Sequence, residues 1–97
     1  MATFILLSTL TGRGAQTVEE HPEHISVVNQ ELERMGVHVV RQWAVLGPYD
    51  FVNVVDAPDN LLIARVSAVL SSRGSVRIMA LPAIPVDEFI TGLRPHE

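Results

Sequence analysis

Val37 to Val55 reads VHVVRQWAVLGPYDFVNVV, and its pattern decides the fold. β-Branched and aromatic residues dominate both arms of this stretch, as half-buried strands require. Between the arms, Gly47-Pro48-Tyr49-Asp50 is a turn cluster. Two strands joined across so short a break pair antiparallel, as a hairpin. Regular alternation places Val37, Val39, Arg41, Trp43 and Val45 on one face of the first arm, with His38, Val40, Gln42, Ala44 and Leu46 on the other.

The flanks complete the pattern. Upstream, Ile25, Val28, Leu32 and Met35 recur three or four residues apart on one helical face, and Gly36 follows as a C-cap. Helical character is expected from near Gln16, with Pro22 in the first turn of the main helix. Thr11-Gly12-Arg13-Gly14 reads as a loop. Ahead of it, Thr3 to Ser8 is a nearly continuous apolar run that suits a strand buried on both faces. Downstream, Asp59 is placed to cap a second helix, in which Leu62, Val66, Val69 and Leu70 share a face before Gly74. Val76 to Leu81 makes a fourth strand, Pro82 and Pro85 break the chain, and Val86 to Gly92 suits a short terminal helix. The order β-α-β-β-α-β predicts a single α+β domain over residues 1–97, ferredoxin-like, with four antiparallel strands and both helices on one face.

Composition narrows the function classes. Seven Lys and Arg stand against 11 Asp and Glu, a net charge of −4, so electrostatics give no reason to expect nucleic acid as partner. Cysteine is absent, which removes disulfides, thiolate catalysis and Cys-ligated metal sites. Phe4-Ile5-Leu6-Leu7 is too short for a signal peptide and has no basic residue ahead of it. No stretch approaches the ~20 apolar residues of a membrane span. A soluble cytoplasmic protein without membrane association is the expectation.

The hydrophobic fraction of 47 % carries more information. Helices cover one face of such a sheet, yet the strands are apolar on both sides. A monomer would therefore expose more apolar surface than the few hundred Å² usually tolerated. A second copy, packed sheet to sheet about a two-fold axis, is the expected cover. The alternative is that Ile84 to Leu93 folds back over the face.

The chain resembles the GYD-domain proteins over nearly its whole length. The resemblance rests on the first strand ending in Ser8-Thr9-Leu10-Thr11, on Gly14, on Pro22-Glu23, on Gly36, on the Gly47-Pro48-Tyr49-Asp50 turn, on Ala57-Pro58-Asp59 and on Gly74-Ser75-Val76-Arg77. Proline fills the variable slot of the signature at Pro48, His24 replaces a basic residue common after Pro-Glu, and Leu10 lies near a place where relatives often carry an aromatic residue. The resemblance implies a dimeric α/β barrel. Its wider superfamily includes cofactor-independent monooxygenases, isomerases, cyclases and ligand binders, so fold alone does not fix function.

Candidate chemistry is sparse. Tyr49 can donate a hydroxyl proton with Asp50 orienting it; alternatively Asp50 bonds backbone amides and the Tyr49 ring packs on a neighbour. His21 and His24 lie three apart, but no third ligand is placed by sequence and no metal is expected. His24 suits an acid, base or donor at a pocket rim, because imidazole titrates near neutrality. Trp43 suits an aromatic wall or an interface, and Asn53, polar within an apolar strand, suits a cavity wall or an inter-subunit hydrogen bond. Ser8 and Thr9 offer hydroxyls at the mouth of a cleft, and Gly12-Arg13-Gly14 is at most a weak anion cradle. The candidate ligand-binding set is therefore Ser8, Thr9, His24, Trp43, Tyr49 and Asn53, with His24, Tyr49 and Asp50 as candidate catalytic groups. The leading expectation is a homo-oligomeric binding or assembly protein with a small apolar ligand pocket and no cofactor. The alternative is a cofactor-independent oxygenase, isomerase or cyclase acting on a small apolar molecule.

Overall fold

A computed structural model describes residues 1–95. Strand β1 (Ala2–Leu10) leads into helices α1 (Gly12–Glu20) and α2 (His24–Arg34), then the hairpin of β2 (His38–Ala44) and β3 (Phe51–Ala57). Helix α3 (Asn60–Ser72), strand β4 (Val76–Ala83) and helix α4 (Val86–Leu93) complete the chain. The four strands form one antiparallel sheet in the order β2-β3-β1-β4. This is the ferredoxin-like arrangement, with one helix added by the break between α1 and α2 and another at the C-terminal end.

The predicted loop at Thr11–Gly14 is instead the start of α1. Thr11 caps the helix, its Oγ1 accepting the Gly14 amide at 3.2 Å. Position 14 admits only glycine because α1 closely approaches the backbone just ahead of β4: a Cβ there would sit 1.9 Å from the Ser75 carbonyl oxygen. Pro22 falls between two helices rather than inside the first turn of one, at the short break after His21. The α3 cap forms as expected, with the Leu62 amide donating to Asp59 at 2.9 Å. The buried stripe of α3 is Ile63, Val66 and Leu70, shifted by one residue from the expected Leu62 position.

Alternating residues of β1 and β3 divide the sheet cleanly. Phe4, Leu6 and Ser8 of β1 and Asn53, Val55 and Ala57 of β3 are buried beneath the helices. Leu32, Val37, Ile63, Val66 and Leu70 close the core from above. Regular alternation fails in β2, where a register shift between Val39 and Arg41 sets Val39 opposite Val55 but Arg41 opposite Val54. Such a bulge moves every later residue to the other side. Val37 and Val39 therefore belong to the core side, whereas Arg41 and Trp43, opposite Val54 and Val52, belong to the uncovered one. His38, opposite Asp56, and Trp43 thus pair with residues of the same β3 face, not opposite ones.

Candidate functional site

Two features stand out from this frame: a cavity beneath the helices and an uncovered sheet face. The cavity holds about 140 Å³ and lies between all four strands on one side and α1, α2 and α3 on the other. Its walls are largely aliphatic, including Leu6, Val18, Ile25, Val28 and Ile78, with Phe51 from the hairpin. That size suits a single ring or a short branched molecule, since apolar cavities of about 150 Å³ accept benzene.

One wall is different in kind. Asn29 of α2 and Gln42 of β2 exchange hydrogen bonds, Asn29 Nδ2 donating to Gln42 Oε1 at 2.8 Å and Gln42 Nε2 donating to Asn29 Oδ1 at 3.2 Å. Gln42 Nε2 also donates to Asn53 Oδ1 at 2.6 Å, and Asn53 Nδ2 reaches Ser8 Oγ at 3.5 Å. The four side chains form a neutral ladder that all faces the cavity. Asn53 and Ser8 are buried, yet each has a partner, so the ladder satisfies itself and keeps spare donor and acceptor capacity for an occupant. The bulge makes it possible: it turns Gln42 inward, opposite Asn53.

Among the predicted residues, Ser8, Asn53 and His24 line the cavity. Asn29 and Gln42 were not anticipated as lining residues. For Asn29 the signal existed, because it stands four residues after Ile25 and three before Leu32, on the apolar stripe of α2. At the rim, Arg73 grips Glu31 in a two-pronged ion pair at 2.6 and 2.5 Å, tying α3 to α2. The Arg73 guanidinium holds the Glu31 carboxyl below its usual range, and the carboxylate in turn raises Arg73.

The remaining candidates sit elsewhere. Asp50 accepts the Leu10 amide on its carboxylate at 2.8 Å, and its own amide donates to the Ser8 carbonyl at 2.8 Å. It fastens the hairpin to β1. The Tyr49 hydroxyl points to Met79 Sδ at 3.8 Å. Thr9 stands opposite Arg77. His21 lies 3.5 Å from Glu23, both exposed. Among the described residues no three His, Asp or Glu side chains come together as a metal site.

The uncovered face is built from Ile5 and Leu7 of β1, Val52 and Val54 of β3, Trp43 of β2, and Met79 and Leu81 of β4. Trp43 is 46 % exposed, Met79 50 % and Leu81 41 %. Helix α4 does not cover them; none of its residues is buried. Among the described residues no helix is long and apolar enough to cross a membrane.

The chain is 60 % identical over 95 residues to the glutamine synthetase and cystathionine beta-lyase binding protein of Thermus thermophilus, an alignment covering 97 % of this chain and all of that protein. The GYD domain model matches residues 4–92. With the signature turn, the four-stranded sheet and a near full-length match in place, the chain belongs to the GYD domain family.

Proposed function

We propose that this protein is a homo-oligomeric binding protein that associates with metabolic enzymes of the glutamine synthetase and cystathionine beta-lyase type, in the cytoplasm. The observation that carries this reading is the 60 % identity to a protein named for binding those two enzymes. The apolar sheet face supports it, because a surface of that kind is an association surface rather than a solvated one. Two copies packed sheet to sheet would make the dimeric α/β barrel, leaving the helices and sheet edges of the dimer free for the enzymes.

Purified protein, mixed with glutamine synthetase and cystathionine beta-lyase from its own host, tests this. Co-elution in gel filtration with at least one enzyme is the expected result. Failure of both to bind at micromolar concentration overturns the association with enzymes.

A second role rests on the amide ladder. The cavity would hold a small uncharged molecule, and the ladder favours one that carries an amide-like donor and acceptor over the purely apolar ligand expected from sequence. Native mass spectrometry should show such a molecule retained by the wild type and lost from Gln42→Leu. The cofactor-independent enzyme draws less support. His24 borders the cavity, while neither Tyr49 nor Asp50 lines it, and Asp50 already serves the backbone of β1.

A further inference from the structure

The cavity beneath the helices has two unlike ends. At one end stands the neutral ladder of Asn29, Gln42, Asn53 and Ser8. At the other, just past the end of α3, stands Arg73 in the grip of Glu31. Arg73 is the only permanently charged side chain that lines the cavity among the described residues. Helix α2 separates the two ends. At 3.6 residues per turn, Asn29 and Glu31 fall about 160° apart, with Ile25, Val28 and Leu32 on the arc between them. Asn29 reaches β2 on one flank, and Glu31 reaches Arg73 on the other. That arc, with Leu6 and Ile78 of the sheet beneath it, is the aliphatic middle of the cavity.

Each end selects a group. In the ladder Gln42 uses both amide hydrogens, whereas Asn29 and Asn53 each use one. The remaining N–H of either suits a carbonyl oxygen, and the ladder's own carbonyls keep lone pairs for an N–H. A primary carboxamide supplies both. A carboxylate there would set a charge against a neutral wall, since Asn53 and Ser8 are over nine-tenths buried. At the rim, Arg73 has N–H donors beyond the two that hold Glu31, enough for a second carboxylate. Glu31 already balances its charge, so a lone anion would add an uncompensated negative charge. An α-amino acid removes that conflict: its carboxylate meets Arg73, and its ammonium, one carbon away, meets Glu31. The head group keeps contact with water, because the Arg73 and Glu31 side chains are 46 % and 27 % exposed. Opposite flanks of a helix lie about 10–12 Å apart at the side-chain tips. Two hydrogen bonds of about 2.9 Å take up half of that, which leaves room for a short aliphatic spacer.

We infer that the cavity binds an α-amino acid whose side chain ends in a carboxamide. The amide joins the ladder, the methylenes lie under α2, and the zwitterionic head rests on the Arg73–Glu31 pair. This depends on the second role proposed above and names its ligand class; such an amino acid has no net charge, as that role requires.

Titration calorimetry on the full-length protein tests it with three probes: L-glutamine, L-glutamate and butyramide, which keeps the amide and its spacer but lacks the head group. L-Glutamine should bind about tenfold or more tightly than either of the others. Arg73→Gln should cancel its advantage over butyramide, and Gln42→Leu its advantage over L-glutamate, with circular dichroism confirming folded subunits. Butyramide binding as tightly as L-glutamine overturns the inference and leaves the cavity with a neutral amide ligand. Equal binding of L-glutamine and L-glutamate also overturns it, since the ladder then does not read the amide. An advantage over butyramide that survives in Arg73→Gln has another source and overturns it as well. If neither L-glutamine nor butyramide binds at millimolar concentration, the second role and this inference fall together.

Discussion

The two faces of one sheet use the same kinds of side chain to opposite ends. Beneath the helices, Phe4, Val55 and Val66 are almost wholly buried, and the polar groups among them are paired. On the other face, Ile5, Leu7, Val52 and Val54 are part-covered by one another and Trp43, Met79 and Leu81 reach solvent. Hydrophobicity therefore does two jobs here. On one face it folds the subunit, and on the other it stays open, the surface that the proposed association would use. The difference can be broken from either side.

The largest effects belong to the covered face. Gly14→Val forces a side chain into the Ser75 carbonyl, and Phe4→Ala empties the core; the latter should cost about 3–5 kcal/mol. Both should lower the denaturation midpoint of the isolated subunit in urea, and a change under 1 kcal/mol at Phe4 would contradict its place in the core. On the open face, Leu81→Asp should leave the subunit folded by circular dichroism yet shift it towards monomer in sedimentation, because it sets a charge within the apolar field, on its β4 edge. Loss of fold instead would mean that this face belongs to the subunit's own core.

A smaller effect is expected in the amide ladder. Gln42→Ala strips partners from Asn29 and Asn53 and should cost about 1–3 kcal/mol in a denaturation series. An unchanged midpoint would show that the ladder is not formed.

The smallest effect is at the rim. Arg73 lowers the folded-state titration of Glu31, so the pair contributes stability above the usual glutamate range and loses it as pH falls through the folded value. Glu31→Gln should therefore cost about 0.5 kcal/mol near neutrality, and the gap from wild type should close below about pH 4. A gap that widened in acid would have the wrong sign for this pair.

The hairpin, the two amphipathic faces and the caps at Asp59 and Gly36 were legible because each is a local periodic signal or a residue with a fixed conformational preference. Gly36, at φ 96°, is a residue of that kind. The division of the first helical region was not legible, since two glycines argue for a loop until the close approach of Ser75 is known. The bulge in β2 was hidden for a similar reason. Nothing within His38–Ala44 marks the extra residue, and it becomes visible only in the pairing with β3. Half the site depends on it, because the bulge sends Gln42 into the cavity and Trp43 to the open face. The excess of apolar residues was visible in strands that are apolar on both sides, although not which residues of β2 beyond the bulge face the core and which the open side.

Static light scattering of the full-length protein at micromolar concentration tests the central claim most directly. The subunit mass is 10.7 kDa. A mass of twice that value, or a higher multiple, is predicted, and a stable species at 10.7 kDa would contradict the assignment of the open face to a partner copy.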